Sequence, residues 1–539
     1  MSDSRNDRPL TTPLEAMFDQ RLSRQTLFRG AAGAMLGMSP PLAAACGGGS
    51  TSSTAQTSAG QPKRGGVLRV SFASAGTAET LSPLIAVTPI DQARVQSLYD
   101  PLIITNPDFS TSPGLALEWN PNSDATVWEI KLRSGVTFHN GKDFTADDVI
   151  YSIQQMSKPS SYALPFVSGI NAKDIKKVDK LTLQVPLKSP DSDLPSNFAQ
   201  YNTWIFQNGE TDFKHPVGTG PFMYESFTPG QQSVFKRNPN YWQSPKPYAD
   251  QLKIVGITDN GARLNALLSG QIDAMGMLPT AQAKAHQSTG DIVVLTGKSP
   301  QPIMFYMDVT KPPFNNNDVR TAMKLIVDRP AMIEGALNGF GSVGNDIVGK
   351  GLPFYDTSLP QRVQDIEQAK SLLKKAGQEN LTVELQTSEI IPGFVESATL
   401  LAQQAKAAGV TINLKQVPAN SYYNPSLLYL KMAFAETQWA ITGMKFFYLQ
   451  ALAKDAPYNE THWNVPSFDS LLSKAIGELD KTKAQDYWNQ IQTIQYNEGG
   501  YIDWVAADWV DGLSTKVKGI TPSGAGALGN MAFMDAWLA

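Results

Sequence analysis

Apolar and polar positions alternate with the two-residue period of a strand over Gly66-Val67-Leu68-Arg69-Val70-Ser71-Phe72 and again over Thr126 to Arg133. Ser134-Gly135 then marks a turn, and Val136-Thr137-Phe138 resumes the strand pattern. At Thr145-Ala146-Asp147-Asp148-Val149 the period changes: Thr145 is placed to cap a helix whose first turn carries carboxylates. Leu264, Leu267 and Leu268 repeat at helical spacing, as do Ala369, Leu372, Leu373 and Ala376. Leu381, Val383 and Leu385, and then Ile412 and Leu414, return to strand spacing. Strands alternating with helices along a chain predict an α/β class rather than an all-α or all-β one.

The length of 539 residues allows about three domain-sized units or two large lobes. Charged residues make up only 17% and apolar ones 42%, so most of the chain is able to build a core. The net charge of −4 lacks the basic footprint of a nucleic-acid binder. Cys46 is the only cysteine, which excludes an internal disulfide and any CxxC redox or zinc site. His139, His215, His286 and His462 are dispersed, with no HExxH among them, so no metal site is expected and no cofactor is implied.

The first residues read as an address. Arg21, Arg24 and Arg29 precede a short apolar stretch from Gly30 to Met38, the layout of a secretory signal. Small residues then lead through Leu42-Ala43-Ala44-Ala45 to Cys46-Gly47, which resembles a bacterial lipobox with its leucine one place early. By that resemblance, residues 1–45 are a signal peptide and Cys46 becomes the lipidated first residue of the mature chain. Residues 46–62 read as a Gly/Ser/Thr/Ala tether. Ser23-Arg24-Gln25-Thr26-Leu27-Phe28-Arg29 resembles a twin-arginine signal but has Gln25 where the second arginine belongs. No later stretch reaches the ~18 apolar residues of a membrane span. The expected location is therefore the periplasm or the outer face of the cytoplasmic membrane, with a lipid anchor.

Five blocks in order resemble the family 5 extracellular solute-binding proteins of ATP-driven (ABC) importers. The first is Trp128-Glu129-Ile130-Lys131-Leu132-Arg133-Ser134-Gly135-Val136-Thr137-Phe138-His139-Asn140-Gly141, continued by Phe144 to Val149. The second is Pro216-Val217-Gly218-Thr219-Gly220-Pro221-Phe222 with Arg237-Asn238-Pro239-Asn240-Tyr241-Trp242. Gly270-Gln271-Ile272-Asp273-Ala274 is the third. Pro313-Phe314 with Asp318, Val319, Arg320, Ala322, Asp328 and Arg329 is the fourth, and Ala369 to Gly377 the fifth. Physically these blocks read as structural. Gly218 and Gly220 suit a turn or a close backbone approach, Tyr241 and Trp242 are core anchors, and His139 is a satisfied structural histidine. Asp318, Arg320, Asp328 and Arg329 read as caps and solvated pairs worth under about 1 kcal/mol each.

The resemblance implies a two-lobe, class II periplasmic-binding-protein-like fold with a hinge and a ligand cleft between the lobes. The first lobe would comprise residues 63–303 and 506–539, the second 304–505. The chain would cross near Met304–Asp308 and return near Tyr501–Ala507. A monomer is expected, capturing a peptide or peptide-like solute and presenting it to the membrane permease subunits. Peptide-binding relatives carry a Trp followed by an acidic loop that neutralises the ligand amine. Here Trp439 and Gly443 match, whereas Lys445, beside Phe446, stands near the expected carboxylate. An ammonium there would repel a ligand amine and accept an anionic or neutral group, unless Lys445 is simply a surface lysine. Gln386 and Ser388 follow a strand and should emerge at its C-terminal end, where ligands gather in open α/β sheets. Met304 and Phe305 either line an apolar wall or pack in the core. Tyr458, Asn459, His462 and Trp463 either contact ligand or brace the Trp439 loop.

Other classes lack support in the pattern. Ser523 to Gly529 contains a G-x-G-x-x-G match, but it is too near the C-terminus for a βαβ unit and reads as a turn-rich tail. Neither a G-x-S-x-G elbow nor a phosphate-binding P-loop occurs. The expected protein is a receptor and no enzyme. An exported hydrolase, or a ligand sensor on the same fold, is the alternative.

Overall fold

The computed structural model describes residues 61–424, 428–441 and 443–539. The signal peptide, Cys46 and nearly all of the tether lie outside the described residues.

Two large apolar cores organise the molecule. One is built from residues between Leu68 and Leu295 together with Leu513 to Ala536. The other is built from residues between Ile303 and Val505. One eleven-stranded sheet runs through both. Its order is Thr411–Gln416, Thr382–Thr387, Phe434–Gln438, Ile292–Met307, Tyr501–Ser514, Ala274–Met275, Val67–Phe72, Gln251–Gly256, Gln232–Arg237 and Phe222–Thr228, with Gly341–Val343 added onto Tyr501–Ser514. The outer pairs of each half include parallel strands, while the long central pair, Ile292–Met307 with Tyr501–Ser514, is antiparallel. A separate antiparallel sheet of Ala116–Pro121, Val127–Leu132, Thr182–Pro186 and Lys176–Lys177 completes the first lobe.

The two long strands are the connection between the cores. Leu295 packs in the first core and Ile303 in the second; on the way back Val505 packs in the second and Leu513 in the first. Between them the pairing register breaks, between Gly297 and Gln301, opposite Ala507 to Trp509. The C-terminal tail packs on this break. A Cβ on Gly297 would fall 2.0 Å from the Ser523 carbonyl oxygen, and one on Gly524 would fall 1.9 Å from that of Lys298. That reciprocal fit explains Gly524, the first glycine of the tail's G-x-G-x-x-G match. Farther along, Asp511 accepts from the Met277 and Leu528 amides. Burial pushes its carboxyl up to about 7.

The first two sequence blocks meet in the first lobe. Asp100, buried, accepts from Thr219 Oγ1 at 2.8 Å, Tyr241 OH at 2.8 Å and Trp242 Nε1 at 3.1 Å. The Arg133 guanidinium lies 4.2 Å from the Trp242 ring centroid. His139 accepts the Gly218 amide on Nδ1, so its proton sits on Nε2 and is donated to the Gly220 carbonyl. Burial lowers its pKa to about 4, which keeps it neutral. Gly218 and Gly220 are needed for close approach, since a Cβ on Gly218 would lie 1.8 Å from the Leu98 carbonyl oxygen. Thr145 and Asp148 form a capping box at the start of the helix Ala146–Met156.

One expectation is corrected. Asp328 caps the helix Arg329–Leu337, but Arg320 and Arg329 are buried rather than solvated. Arg320 donates to the Phe314 and Glu498 carbonyls, and Arg329 pairs with buried Asp346 at 2.7 Å. Their long side chains reach inward from a helix surface to backbone acceptors, which adjacent positions in sequence do not reveal.

Candidate functional site

The Trp439 segment leaves the strand Phe434–Gln438, which pairs with Ile303–Met307 at the second-lobe end of the connection. Trp439 is only 4% exposed. Its ring meets Phe447 edge-on at 5.1 Å and Tyr458 at 6.0 Å. Behind it lies Glu460, fully buried, which accepts from Thr437 Oγ1 at 2.7 Å, Tyr429 OH at 2.8 Å and Tyr501 OH at 2.9 Å. Trp439 Nε1 approaches Oε2, the oxygen that Tyr501 also reaches, at 3.5 Å. Burial raises the Glu460 pKa against the lowering effect of these donors. Tyr458 and Asn459 belong to this bracing. Asn459 donates to the Trp463 carbonyl at 2.7 Å, whereas His462 turns toward Asp308 at 3.3 Å.

The segment then turns through Gly443 into the short helix Met444–Phe447. Gly443 is extended, and open space surrounds the position of a Cβ there, so no backbone constraint demands a glycine. Within the helix the side chains divide. Met444 packs toward Gly349, and Phe447 toward Trp439 and Tyr501. Lys445 and Phe446 point the other way, to the first lobe. Lys445 Nζ donates to both carboxylate oxygens of Asp191 at 3.0 Å and to the Asp193 carbonyl at 2.9 Å. Phe446 stacks on Phe166, with centroids 4.9 Å apart and planes 27° apart. Phe166 in turn meets Tyr201 edge-on.

The other sequence-selected residues fall elsewhere. Met304 and Phe305 have no accessible surface and lie inside the second core. They are packing, not an exposed ligand wall, because both faces of this central strand are covered. Ser388 is equally buried and accepts from the Ile390 amide. Gln386 is half-buried, and its amide donates to Glu384. The expectation that Lys445 offers a free ammonium to a ligand also changes. Its three donated hydrogen bonds all go to the first lobe, so its charge is already met by Asp191.

Sequence reasoning passed over Asp191, Phe166 and Glu460. Nothing in the loop Pro190-Asp191-Ser192-Asp193 separates it from ordinary surface turn chemistry. Glu460 did carry a signal: it is the only carboxylate between the aromatics Tyr458 and Trp463. Among the described residues, no group of three or more His, Cys, Asp or Glu side chains is placed to hold a metal ion. No helix among them is long and apolar enough to cross a membrane.

Comparison with known proteins gives this geometry its context. Heme-binding protein A of Haemophilus influenzae is 25% identical over 468 residues, covering 80% of this chain and 85% of its own. The glutathione-binding protein GsiB of Shigella dysenteriae is 26% identical over 457 residues, covering 82% and 89%. The ABC transporter substrate binding protein CtaP of Listeria monocytogenes superposes with a TM-score of 0.78 at 21% identity, over 88% of this chain and 100% of its own. Residues 110–459, more than half of the chain, match bacterial extracellular solute-binding proteins, family 5 Middle. The chain therefore belongs to the family 5 bacterial extracellular solute-binding proteins, two-lobed binders that serve ABC import.

Proposed function

We propose that this protein captures a peptide or peptide-like solute between its two lobes and hands it, unaltered, to the permease of an ABC importer. The observation that carries the reading is the pair of separate cores through which two long antiparallel strands run, with Lys445 and Phe446, just after the Trp439 segment, reaching the opposite lobe. A ligand that contacts both lobes favours the closed state of a hinge of this kind. Gly443 and Phe446 are the residues we assign to the ligand side, with Trp439 bracing them from within the second core and Gln386 farther out. Glutathione binding by the GsiB relative supports a small-peptide class of ligand.

The test is mass spectrometry of small molecules released from the purified protein, followed by calorimetry with the compound found and with glutathione and short peptides. A peptide-class compound that binds and is recovered intact supports the proposal. Chemical conversion of that compound by the protein overturns it.

Delivery to the membrane face belongs to the same proposal. Cys46 would carry the lipid that keeps the receptor beside its permease. Cys46→Ser should release the protein from the membrane fraction into the soluble one; retention of the variant in the membrane removes the anchor from this account.

A further inference from the structure

One seam between the lobes is made by the protein's own side chains, from the 190–193 loop and Phe166 of the first lobe to Lys445, Phe446, Ile476 and Gly477 of the second. In the first lobe, Asp191 is held by its backbone: its amide donates to the Ala125 carbonyl at 3.0 Å, and Trp128 Nε1 donates to its carbonyl at 3.0 Å. Its carboxylate also accepts the Asp193 amide at 2.9 Å. This preformed acceptor meets Lys445 of the second lobe with both oxygens. The lysine side chain is 10% exposed and that of Asp191 18%, so water screens the pair little. Beside it, the Ser192 amide and hydroxyl both donate to the Ile476 carbonyl at 2.8 Å. Pro190 packs so close to Gly477 that a Cβ there would lie 3.0 Å away. The Phe166–Phe446 stack completes the seam.

We propose that Lys445 is a built-in latch: its ammonium, clasped by Asp191 and the Asp193 carbonyl, closes the clamp without ligand. The chemistry is that of a captured amine, but the amine is the protein's own and is tethered to the opposite lobe. A tethered partner meets Asp191 at a high effective concentration. Closure is thereby pre-paid in part by the chain itself, and a solute need not carry a positive charge to shut the lobes. Phe446 adds an apolar contact to the same seam. The inference goes beyond ligand capture and concerns the empty receptor; it uses only the two-lobe architecture.

Small-angle X-ray scattering of the ligand-stripped protein tests it, because the radius of gyration reports lobe opening with no ligand present. Wild type should scatter as a predominantly closed particle. Lys445→Met should raise the open-to-closed ratio about tenfold, the worth of a part-buried charge-assisted pair. Asp191→Asn, on the other lobe, should do the same, which covers the case in which one variant fails to fold. The reversed pair Lys445→Asp with Asp191→Lys should return the particle toward closure. Circular dichroism checks that each variant is folded. Folded Lys445→Met and Asp191→Asn proteins with the wild-type radius of gyration, or a wild type already open, would overturn the latch. Neither result would touch the ligand-capture reading, which is read from the released solute.

Discussion

The two sides of the segment from Trp439 to Phe447 differ in kind. Its inner side is tied into one lobe: Trp439 and Phe447 pack against Tyr458 and Tyr501, and Glu460 gathers hydroxyl donors from three elements of the same core. Its outer side makes contacts of similar chemistry, an aromatic stack and a charged hydrogen-bonded pair, but across a boundary between lobes. Buried polar contacts within a core are lost only on unfolding. Contacts across a hinge are lost on opening, which costs far less ordering of the chain. The same four-residue helix therefore carries a permanent face and a conditional one, and the side chain's direction decides which.

The comparison breaks most visibly at Glu460. Glu460→Ala leaves Tyr429, Thr437 and Tyr501 without their acceptor inside the core. The expected loss of stability is about 3–5 kcal/mol, measured by urea unfolding. An equal loss from Lys445→Met would erase the distinction between the two faces.

The inner face should also register pH. The Glu460 carboxyl is raised by burial, so folding favours its protonated form. Its contribution is complete below its ordinary value of 4.5 and is lost as pH rises through the higher folded value. Glu460→Gln should flatten that part of the stability–pH curve, with a loss of about 1–2 kcal/mol at its acidic end from imperfect acceptor geometry. A curve with unchanged slope in the variant would show that Glu460 does not titrate differently on folding.

Phe446→Ala sharpens the outer side. It should open the ligand-stripped particle by a factor of about 3–5, because an aromatic pair contributes about 0.5–1.5 kcal/mol beyond its area. The unfolding midpoint should move much less than for Glu460→Ala. The smallest effect is expected from the exposed pair of Lys131 with Glu118, 2.8 Å apart with both side chains about half exposed. Lys131→Gln should change stability by under about 0.5 kcal/mol and leave the scattering unchanged. These two outcomes separate interlobe contacts from surface contacts of similar appearance.

Local pattern anticipates much of this molecule. The strands at Val67–Phe72, Val127–Leu132, Thr382–Thr387 and Thr411–Gln416 follow from a two-residue period, and the helix at Ala146–Met156 from its cap. His139, Tyr241 and Trp242 are structural for the reasons their surroundings in sequence suggest. What alternation cannot distinguish is a strand covered on one face from one covered on both. Met304 and Phe305 therefore read equally well as a wall or as core until the packing of the central strand is known.

The chain's own pattern determined the α/β class, the dependence of the first lobe on close glycine contacts, and the presence of an aromatic segment at Trp439. These depend on backbone period, turn chemistry and side-chain size, which act between near neighbours. Tertiary structure alone decided the partners of its charges. Lys445 and Asp191 are 254 positions apart, and the reach of an ion pair is a few ångströms in space, whatever the separation along the chain. Only the folding of two lobes about their shared strands turns that lysine from a prospective ligand contact into a bond between the lobes.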